Sequence, residues 1–274
     1  MRSLGPDAVR YLKAGNGQPV TRPFHLRVLL PRLCGTSLRN WWAVWAVSWI
    51  VIGISTTGWA LARGLDVAHA AFAALLLIGL PGILGPKVSI PVQVDLPATA
   101  LTILGVAFAT TGQPVWIVVG VLIIGLAASA RETAPVWAAL WLSSPWPLIA
   151  LVVPLIISRV RTPATESGVP EWDWIAAHPI SAGLKFHHGR WRDARLMVIP
   201  WGVCLVALGA PSWQLALLLA LAYGQLLIAT DSVRLYQHAA GPLMAVTAAT
   251  LIPGPWLLPA AVLHIFWLVT PERI

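Results

Sequence analysis

The polar residues best suited to chemistry lie in one short segment between two apolar stretches. Residues 230–238 read TDSVRLYQH and include Asp231, Arg234 and His238. In a helix, spacings of i, i+3 and i+7 place these three residues on one face. Asp231 and Arg234 can pair there, and a histidine titrates near neutral pH. The segment therefore indicates a site that binds an anionic headgroup or a small polar substrate, or that relays protons. The alternative is a polar turn whose side chains cap and pair with one another.

A second pair of opposite charges, Arg131 and Glu132, directly follows another apolar stretch. Charged residues in or beside a membrane span are costly and therefore mark candidate functional sites. We predict both as substrate-binding residues, as we do for Asp231, Arg234 and His238. The alternative is a simple helix end: Ala134-Pro135 comes next, and Glu132 would then cap the following helix.

Isolated polar residues elsewhere carry weaker signals. Asp66 and His69 are spaced i, i+3 at the start of an apolar stretch, and Asp95 lies in a stretch interrupted by prolines. His264 stands alone in the last apolar stretch. A lone histidine in an apolar helix is more often a hydrogen-bonded packing residue than a ligand, since buried polar groups are rarely left unpaired, and we expect structural roles for these residues.

The sequence predicts neither a metal site nor a cofactor. The two cysteines, Cys34 and Cys204, are far apart and form no metal or disulfide motif. Phosphate-binding glycine loops and the GxSxG nucleophile motif are absent from the sequence. Ligand-type side chains do occur between residues 159 and 195, without the HExxH spacing typical of zinc: His178, His187, His188, Glu171 and Asp173.

The composition of the chain indicates which kind of secondary structure carries these polar residues. The chain has 274 residues, of which 58% are hydrophobic and only 10% are charged. A soluble domain carries roughly 25% charged residues, so this composition excludes an ordinary soluble enzyme, a disordered protein and a nucleic-acid-binding domain. Hydrocarbon must surround most of the chain, and helices are the elements that satisfy their own backbone hydrogen bonds there.

The distribution of basic residues indicates how the chain is oriented in the membrane. The net charge is +8, and 13 of the 18 basic residues lie in the ranges 1–40 and 159–195. Basic segments beside apolar spans mark the cytoplasmic side and attract anionic lipid headgroups. We therefore expect an inner-membrane protein with a cytoplasmic N-terminus, anionic lipid headgroups as partners and no nucleic acid.

Apolar stretches predict an all-α polytopic bundle with about eight membrane segments, within a range of seven to ten. Several are shorter than the roughly 20 residues that a perpendicular crossing needs, which favours broken or re-entrant helices. Residues 135–158 are interrupted by serines and prolines and predict two short helices or one kinked span. The other stretches are about 41–62, 67–84, 98–111, 114–130, 196–211, 213–230, 238–252 and 255–270.

Four regions follow from this pattern. Residues 1–40 form a basic segment, predicted either as an amphipathic piece on the membrane surface or as a flexible tail. Residues 41–158 form the first half of the bundle. The last part of this half, residues 113–158, is predicted as the broken helix pair. Residues 159–195 form a basic cytoplasmic loop with an interfacial helix, and residues 196–274 form the second half.

A constant offset of 156 residues brings the two ends of the chain into register without gaps. The matched residues are of types that seldom match by chance in an apolar chain: Pro23 with Pro179, Arg39 with Arg195, Trp45 with Trp201, Gly53 with Gly209, Gly85-Pro86 with Gly241-Pro242, and Pro97 with Pro253. This predicts parallel repeats over about 23–112 and 179–270, with coincidence as the alternative.

Duplicated halves, short broken spans and polar groups between them are typical of a transport pathway. We therefore expect a transport or channel-type membrane component, which acts alone, as a homo-oligomer or with membrane partners. Two alternatives remain open. One is a membrane-embedded enzyme on a lipid-linked or phosphate-bearing substrate, in which Asp231 acts as base or substrate ligand and Arg234 holds phosphate. The other is a non-catalytic accessory subunit.

Overall fold

Helices form all the regular structure that is described. The computed structural model describes residues 6–21, 24–84, 92–161, 177–181, 197–227 and 233–269, and no strand occurs among them. The predicted all-α fold class is confirmed for this part of the chain. Its α-helices are α1 (Pro6–Gly15), α2 (Leu29–Cys34), α3 (Leu38–Ala62), α4 (Val67–Gly79), α5 (Pro81–Leu84), α6 (Asp95–Thr110), α7 (Pro114–Ala130), α8 (Ala134–Leu142), α9 (Val152–Val160), α10 (Trp213–Gly224), α11 (Val233–Leu251) and α12 (Leu257–Val269).

Short 3-10 helices precede or extend several of these elements: Phe24–Leu26, Trp146–Leu151, Ile199–Gly209, Gln225–Leu227 and Gly254–Trp256. The predicted interruption between residues 135 and 158 is present, because α8 ends at Ser143 in the left-handed conformation with φ of 49°. A second interruption lies inside the 3-10 helix Ile199–Gly209, where Gly202 has φ of 51°. Positive φ favours glycine, so this kink is encoded locally.

One helix, α3, is long and apolar enough by itself to cross a membrane, and only 33% of its most apolar window is buried. A second candidate is a bent pair, Tyr236–Leu251 and Gly254–Phe266, whose halves differ in direction by 120°. The other apolar helices of the described residues have 10–17 residues. One or two helices of the described part thus meet the length criterion, where the sequence predicted about eight membrane segments. Pro81 follows the end of α4 and Gly112 that of α6, whereas α7 and α9 end at arginines.

The chain divides into two compact units. Unit 1 comprises Met1–Ser55 and Pro86–Val169, and unit 2 comprises Thr56–Gly85 and Pro170–Ile274. In unit 1 the basic N-terminal segment is folded into α1, α2 and the 3-10 helix between them. Its buried side chains Tyr11, Phe24 and Cys34 join a hydrophobic core with Trp41 and Val94.

Helices α6 and α7 of unit 1 form a hairpin in which the two backbones nearly touch. A Cβ atom built on Gly105 would lie 2.7 Å from the Gly120 carbonyl oxygen, and one built on Gly120 would lie 2.5 Å from the Gly105 oxygen. Small residues that permit such an approach are typical of helix pairs in membranes. Gly112, with φ of 75°, makes the turn between the helices.

Unit 2 is built around α11, which packs against α4, α5, α10 and the 3-10 helix Ile199–Gly209. The side chain of Asp66 caps α4 by accepting a hydrogen bond from the His69 amide at 2.9 Å. Ser212 caps α10 by accepting from the Leu215 amide at 3.2 Å. The start of each helix is therefore set by a local N-cap residue.

The bounds of the helices do not confirm the repeat at an offset of 156 residues. This offset places α3 on residues 194–218, where the described part contains the 3-10 helix Ile199–Gly209, a break and the start of α10. A continuous helix would correspond to an interrupted one. The duplication therefore stays a prediction.

Candidate functional site

The first cluster of polar side chains, in unit 1, is centred on Arg27 and Glu132. Arg27 follows the 3-10 helix Phe24–Leu26, and Glu132 lies in the connection between α7 and α8. The guanidinium of Arg27 donates from Nε to Oε2 of Glu132 at 3.1 Å and from Nη2 to Oε1 at 3.0 Å. Its Nη1 atom donates to the hydroxyl of Tyr11 at 2.7 Å. Nε and Nη2 therefore make a fork-shaped contact with the carboxylate, the geometry that suits arginine and carboxylate, and the third nitrogen is engaged by the phenol.

Arg131 and Asp95 form a second ion pair beside the first. Nη1 of Arg131 donates to Oδ1 of Asp95, and the two side chains are only 9% and 8% exposed. Asp95 lies in the first turn of α6 and Arg131 is the C-cap residue of α7. Each charge therefore also lies at the helix end whose dipole stabilises it.

Electrostatics keep this network charged. Burial by itself would raise the pKa of Glu132, but the guanidinium of Arg27 outweighs burial and holds that pKa below its ordinary value. Burial would likewise lower the pKa of Arg27, and the charge of Glu132 instead raises it above its ordinary value. Burial raises the pKa of Tyr11 to about 12, against the opposing effect of Arg27. At neutral pH the Arg27–Glu132 pair is therefore charged and lies beside a protonated phenol on Tyr11.

The main chain reinforces this arrangement. The Val28 amide donates to the Ser129 carbonyl at 2.8 Å, and Arg161 donates to the His25 carbonyl at 3.5 Å. The N-terminal segment is thus fastened to the end of α7 by backbone as well as side-chain bonds. The network chiefly joins this segment to the helix ends, and it uses Arg131 and Glu132 for that purpose.

The predictions for this cluster were partly informative. Arg131 and Glu132 were singled out from the sequence and Asp95 was noted as a weaker signal, but the partners Arg27 and Tyr11 were not identified. The alternative in which Glu132 caps α8 is wrong, because Thr133 is the N-cap residue and accepts no capping hydrogen bond. A buried charge needs an opposite charge beside it. This rule predicts a cationic partner for Asp95, but it does not identify which arginine that partner is.

The second polar cluster, in unit 2, lies on α11 and includes the predicted residue His238. Gln237 and His238 are buried, with exposed fractions of 0% and 5%. The amide of Gln237 accepts from the Gly82 amide at 2.5 Å and donates to the Pro200 carbonyl at 2.7 Å. Gly82 follows the break between α4 and α5, and Pro200 lies two residues before the kink at Gly202. Gln237 therefore satisfies backbone groups at two helix breaks, a role that its position in the sequence did not predict.

His264 has the packing role expected for a lone histidine. Its Nδ1 atom accepts from the Val203 amide at 3.3 Å, and its Nε2 atom lies 2.9 Å from the Leu76 carbonyl. These two partners fit a neutral ring with its proton on Nε2. Val203 directly follows Gly202, so this side chain too serves the interrupted helix.

Asp66 and His69 form a dyad at the start of α4. Oδ2 of Asp66 lies 2.8 Å from Nδ1 of His69, and Nε2 of His69 lies 3.1 Å from the Ile252 carbonyl. Ile252 marks the bend after α11. Asp66 caps α4, a role that the sequence pattern did not predict, and His69 reaches a third break in the helices of unit 2.

The remaining predicted residues are only partly described. Asp231 lies outside the described residues, and of Arg234 only the helical backbone in the first turn of α11 is described. His178 is exposed, and the other ligand-type residues of the 159–195 region lie outside the described part: His187, His188, Glu171 and Asp173. Within the described ranges, no three His, Cys, Asp or Glu side chains are grouped as a metal site requires.

Comparison of the chain with protein-family models, with curated proteins and with solved structures finds no match. What the chain does is therefore inferred from its own residues.

Proposed function

We propose that the chain is a multi-pass inner-membrane protein with a cytoplasmic N-terminus. The support comes from large apolar side chains that the fold leaves exposed along whole helix faces. On α3, Ile50 and Ile54 are 62% and 69% exposed, and on α12, Phe266 is 72% exposed. On α7, four such residues follow at helical spacing: Val115, Val118, Leu122 and Leu126. A soluble surface rarely carries faces of this kind, whereas hydrocarbon would cover them.

Length is compatible with several crossings when helices tilt or the bilayer thins. Helix α3 has 25 residues and measures about 37 Å at 1.5 Å per residue. Helices α6 and α7 have 16 and 17 residues and measure about 25 Å, against a hydrocarbon core of roughly 30 Å. The backbone contact between α6 and α7 lets them cross as one tightly packed pair.

The orientation is tested with single cysteines in a chain whose two native cysteines are replaced by serine. Asn16→Cys places the thiol in the N-terminal segment, and Arg63→Cys places it after α3; both positions are exposed. A membrane-impermeant maleimide should label Arg63→Cys in intact cells and Asn16→Cys only after permeabilisation. Equal labelling of both in intact cells, or release of the protein by alkaline carbonate, would refute the proposed topology.

We further propose that unit 2 is a transport or channel-type component centred on His238. The observation that carries this proposal is the convergence of helix breaks on α11: Gln237, the neighbour of His238, bonds the backbone at Gly82 and Pro200. In hydrocarbon, irregular backbone is tolerated only where protein buries it or where it lines a water-filled cavity. Interrupted helices of this kind form substrate and ion sites in transporters. Asp231 and Arg234 belong to the same proposed pathway by their spacing from His238.

Flux into vesicles tests this function. The purified chain is reconstituted into liposomes, and entry of protons, potassium, chloride and inorganic phosphate is followed separately. We expect flux of at least one of these ions above protein-free vesicles, and its reduction by about tenfold or more in His238→Gln. His178→Gln, the same change at an exposed histidine, is the matched control and should leave the flux unaltered. Wild-type vesicles that behave as protein-free ones for all four ions would overturn the proposal.

A non-catalytic accessory subunit is the second candidate, and a specific observation in unit 1 favours it. Arg27 and Arg131 are each matched by a carboxylate, Glu132 and Asp95, so this network is already satisfied without a substrate. Such closed pairs serve folding rather than turnover. An accessory role predicts no flux in the vesicle experiment, with a normal content of inserted protein.

A further inference from the structure

The chain turns sharply between α2 and α3 and leaves four side chains on the outside of the turn. We call Arg32, Leu33, Leu38 and Arg39 the α2–α3 corner. All four are exposed, and the apolar pair Leu33 and Leu38 is 63% and 47% exposed. Each side of the turn thus carries one exposed cation next to one exposed leucine, Arg32-Leu33 before it and Leu38-Arg39 after it.

The opposite side of this corner is firmly anchored in unit 1. Trp41 donates from Nε1 to the Gly35 carbonyl at 3.1 Å, and Asn40 donates to the Cys34 carbonyl at 3.5 Å. Gly35 has φ of 55°, and a Cβ atom on Gly15 of α1 would lie 2.6 Å from its carbonyl oxygen. Because α1 packs this closely on the turn, the exposed side chains are held on a fixed support.

The corner also lies at the start of the one continuous helix long enough to span a membrane. Trp42 is 38% exposed in the first turns of that helix and packs edge-on against Trp45, with ring centroids 5.5 Å apart. Tryptophan favours the level of the headgroups at the membrane surface. If α3 crosses the bilayer, Arg32 and Arg39 lie at the depth of the lipid phosphates.

Charge pairing leaves these two arginines available. In the described part of unit 1, the carboxylates are paired elsewhere: Asp7 with Arg10, Asp95 with Arg131, and Glu132 with Arg27. The corner therefore presents positive charge beside apolar side chains, with no described carboxylate to neutralise it. The partner that complements both features is an anionic phospholipid, whose phosphate meets the cations and whose acyl chains meet the leucines.

We propose that the α2–α3 corner is a docking surface for anionic phospholipids of the inner leaflet and selects them over zwitterionic ones. This inference rests on the proposed membrane location. It assigns the lipid selectivity to four named residues. If the basic residues served only as a topology signal, every basic residue of the N-terminal segment would contribute equally.

The experiment uses the full chain reconstituted into phosphatidylcholine vesicles that contain increasing fractions of brominated phosphatidylglycerol. Bromine quenches tryptophan fluorescence on contact, and repeating each measurement with Trp42→Phe isolates the signal of Trp42. Arg32→Gln and Arg39→Gln are tested singly and together. Lys13→Gln is the matched control, since Lys13 is an exposed cation of α1 outside the corner.

We expect the relative affinity of the Trp42 region for phosphatidylglycerol to fall about fivefold for each corner arginine removed, since one cation near an anionic surface contributes about 1 kcal/mol. The control variant should keep the wild-type value, and about 1 M salt should weaken the selectivity, because the Debye length then shrinks to about 3 Å. Unchanged selectivity in the double variant would overturn the inference while leaving the membrane location intact. A chain that fails to enter the vesicles at all would overturn the membrane location first and this inference with it.

Discussion

Removing the guanidinium of Arg27 should destabilise unit 1 strongly, because Glu132 would remain enclosed without its partner. Arg27→Met takes away the two hydrogen bonds to Glu132 and the one to Tyr11. Removing one partner of a fully buried ion pair costs about 3–5 kcal/mol. Glu132 keeps 24% of its side chain exposed, so water can solvate it in part, and we expect a loss of about 2–3 kcal/mol.

The coupling between the two residues separates this explanation from a general loss of packing. Glu132→Gln should also destabilise, but Arg27→Met/Glu132→Gln should lose less than the sum of the single variants, with a coupling of about 1–2 kcal/mol. The control is Asp7→Asn, which breaks the exposed pair with Arg10 at 3.4 Å and should cost no more than about 0.5 kcal/mol.

The measurement is the free energy of unfolding from titration of the purified protein with dodecyl sulfate in mixed micelles. Tryptophan fluorescence reports the transition, because Trp41 lies in the same core as Tyr11, with ring centroids 6.2 Å apart. Additive single effects, or single effects as small as that of Asp7→Asn, would refute the conclusion that a buried ion pair holds the N-terminal segment.

Other consequences can be measured in the same way. Gly105→Ala should cost about 2 kcal/mol or more, because the new Cβ meets backbone at 2.7 Å; Gly58→Ala, with no atom within 4 Å, should be neutral or slightly stabilising. Gln237→Leu leaves two backbone groups unsatisfied and should cost roughly 2–4 kcal/mol, seen as a lower unfolding midpoint. The folded-state pKa of Glu132 is lowered, so its contribution is complete above the unfolded-state pKa of about 4.3. It is lost as pH falls through the folded-state value, and Glu132→Gln should flatten that acid limb. The pKa of Tyr11 is raised to about 12, so its stabilising effect is lost as pH rises from about 10 towards that value. Tyr11→Phe should remove one late component from the alkaline absorbance titration.

The positions of helices and of their interruptions were predictable from local residue types. The apolar stretch predicted at 114–130 is α7 from end to end, and the stretch at 41–62 lies inside α3. Within residues 135–158, where serines and prolines predicted an interruption, α8 ends at Leu142 and Ser143 follows in the left-handed conformation. Proline, glycine and capping side chains act within one or two turns of themselves, so a linear pattern is enough to locate them.

The number of helices long enough to span a membrane was harder to predict from the sequence. Apolar composition sets where the chain prefers hydrocarbon, but it does not set how far each helix continues before a proline or glycine ends it. The stretch predicted at 67–84 divides into α4 and α5 at Leu80, and the stretch at 196–211 is a kinked 3-10 helix. Short elements of this kind have the composition of a span without its length.

By itself, the sequence determined the helical class of the described residues and many of the positions at which helices begin and end, because each of these depends on neighbours within a few positions, while its hydrocarbon surroundings stay a prediction. Only the tertiary structure decided that Arg27 meets Glu132 across 105 positions, that Arg131 meets Asp95 across 36, and that Gln237 reaches Gly82 across 155. Spacing along a helix relates residues three or four apart. Which distant charge or amide satisfies a buried one depends on how the helices pack, and helix packing in a uniformly apolar chain is set by small residues and a few polar contacts.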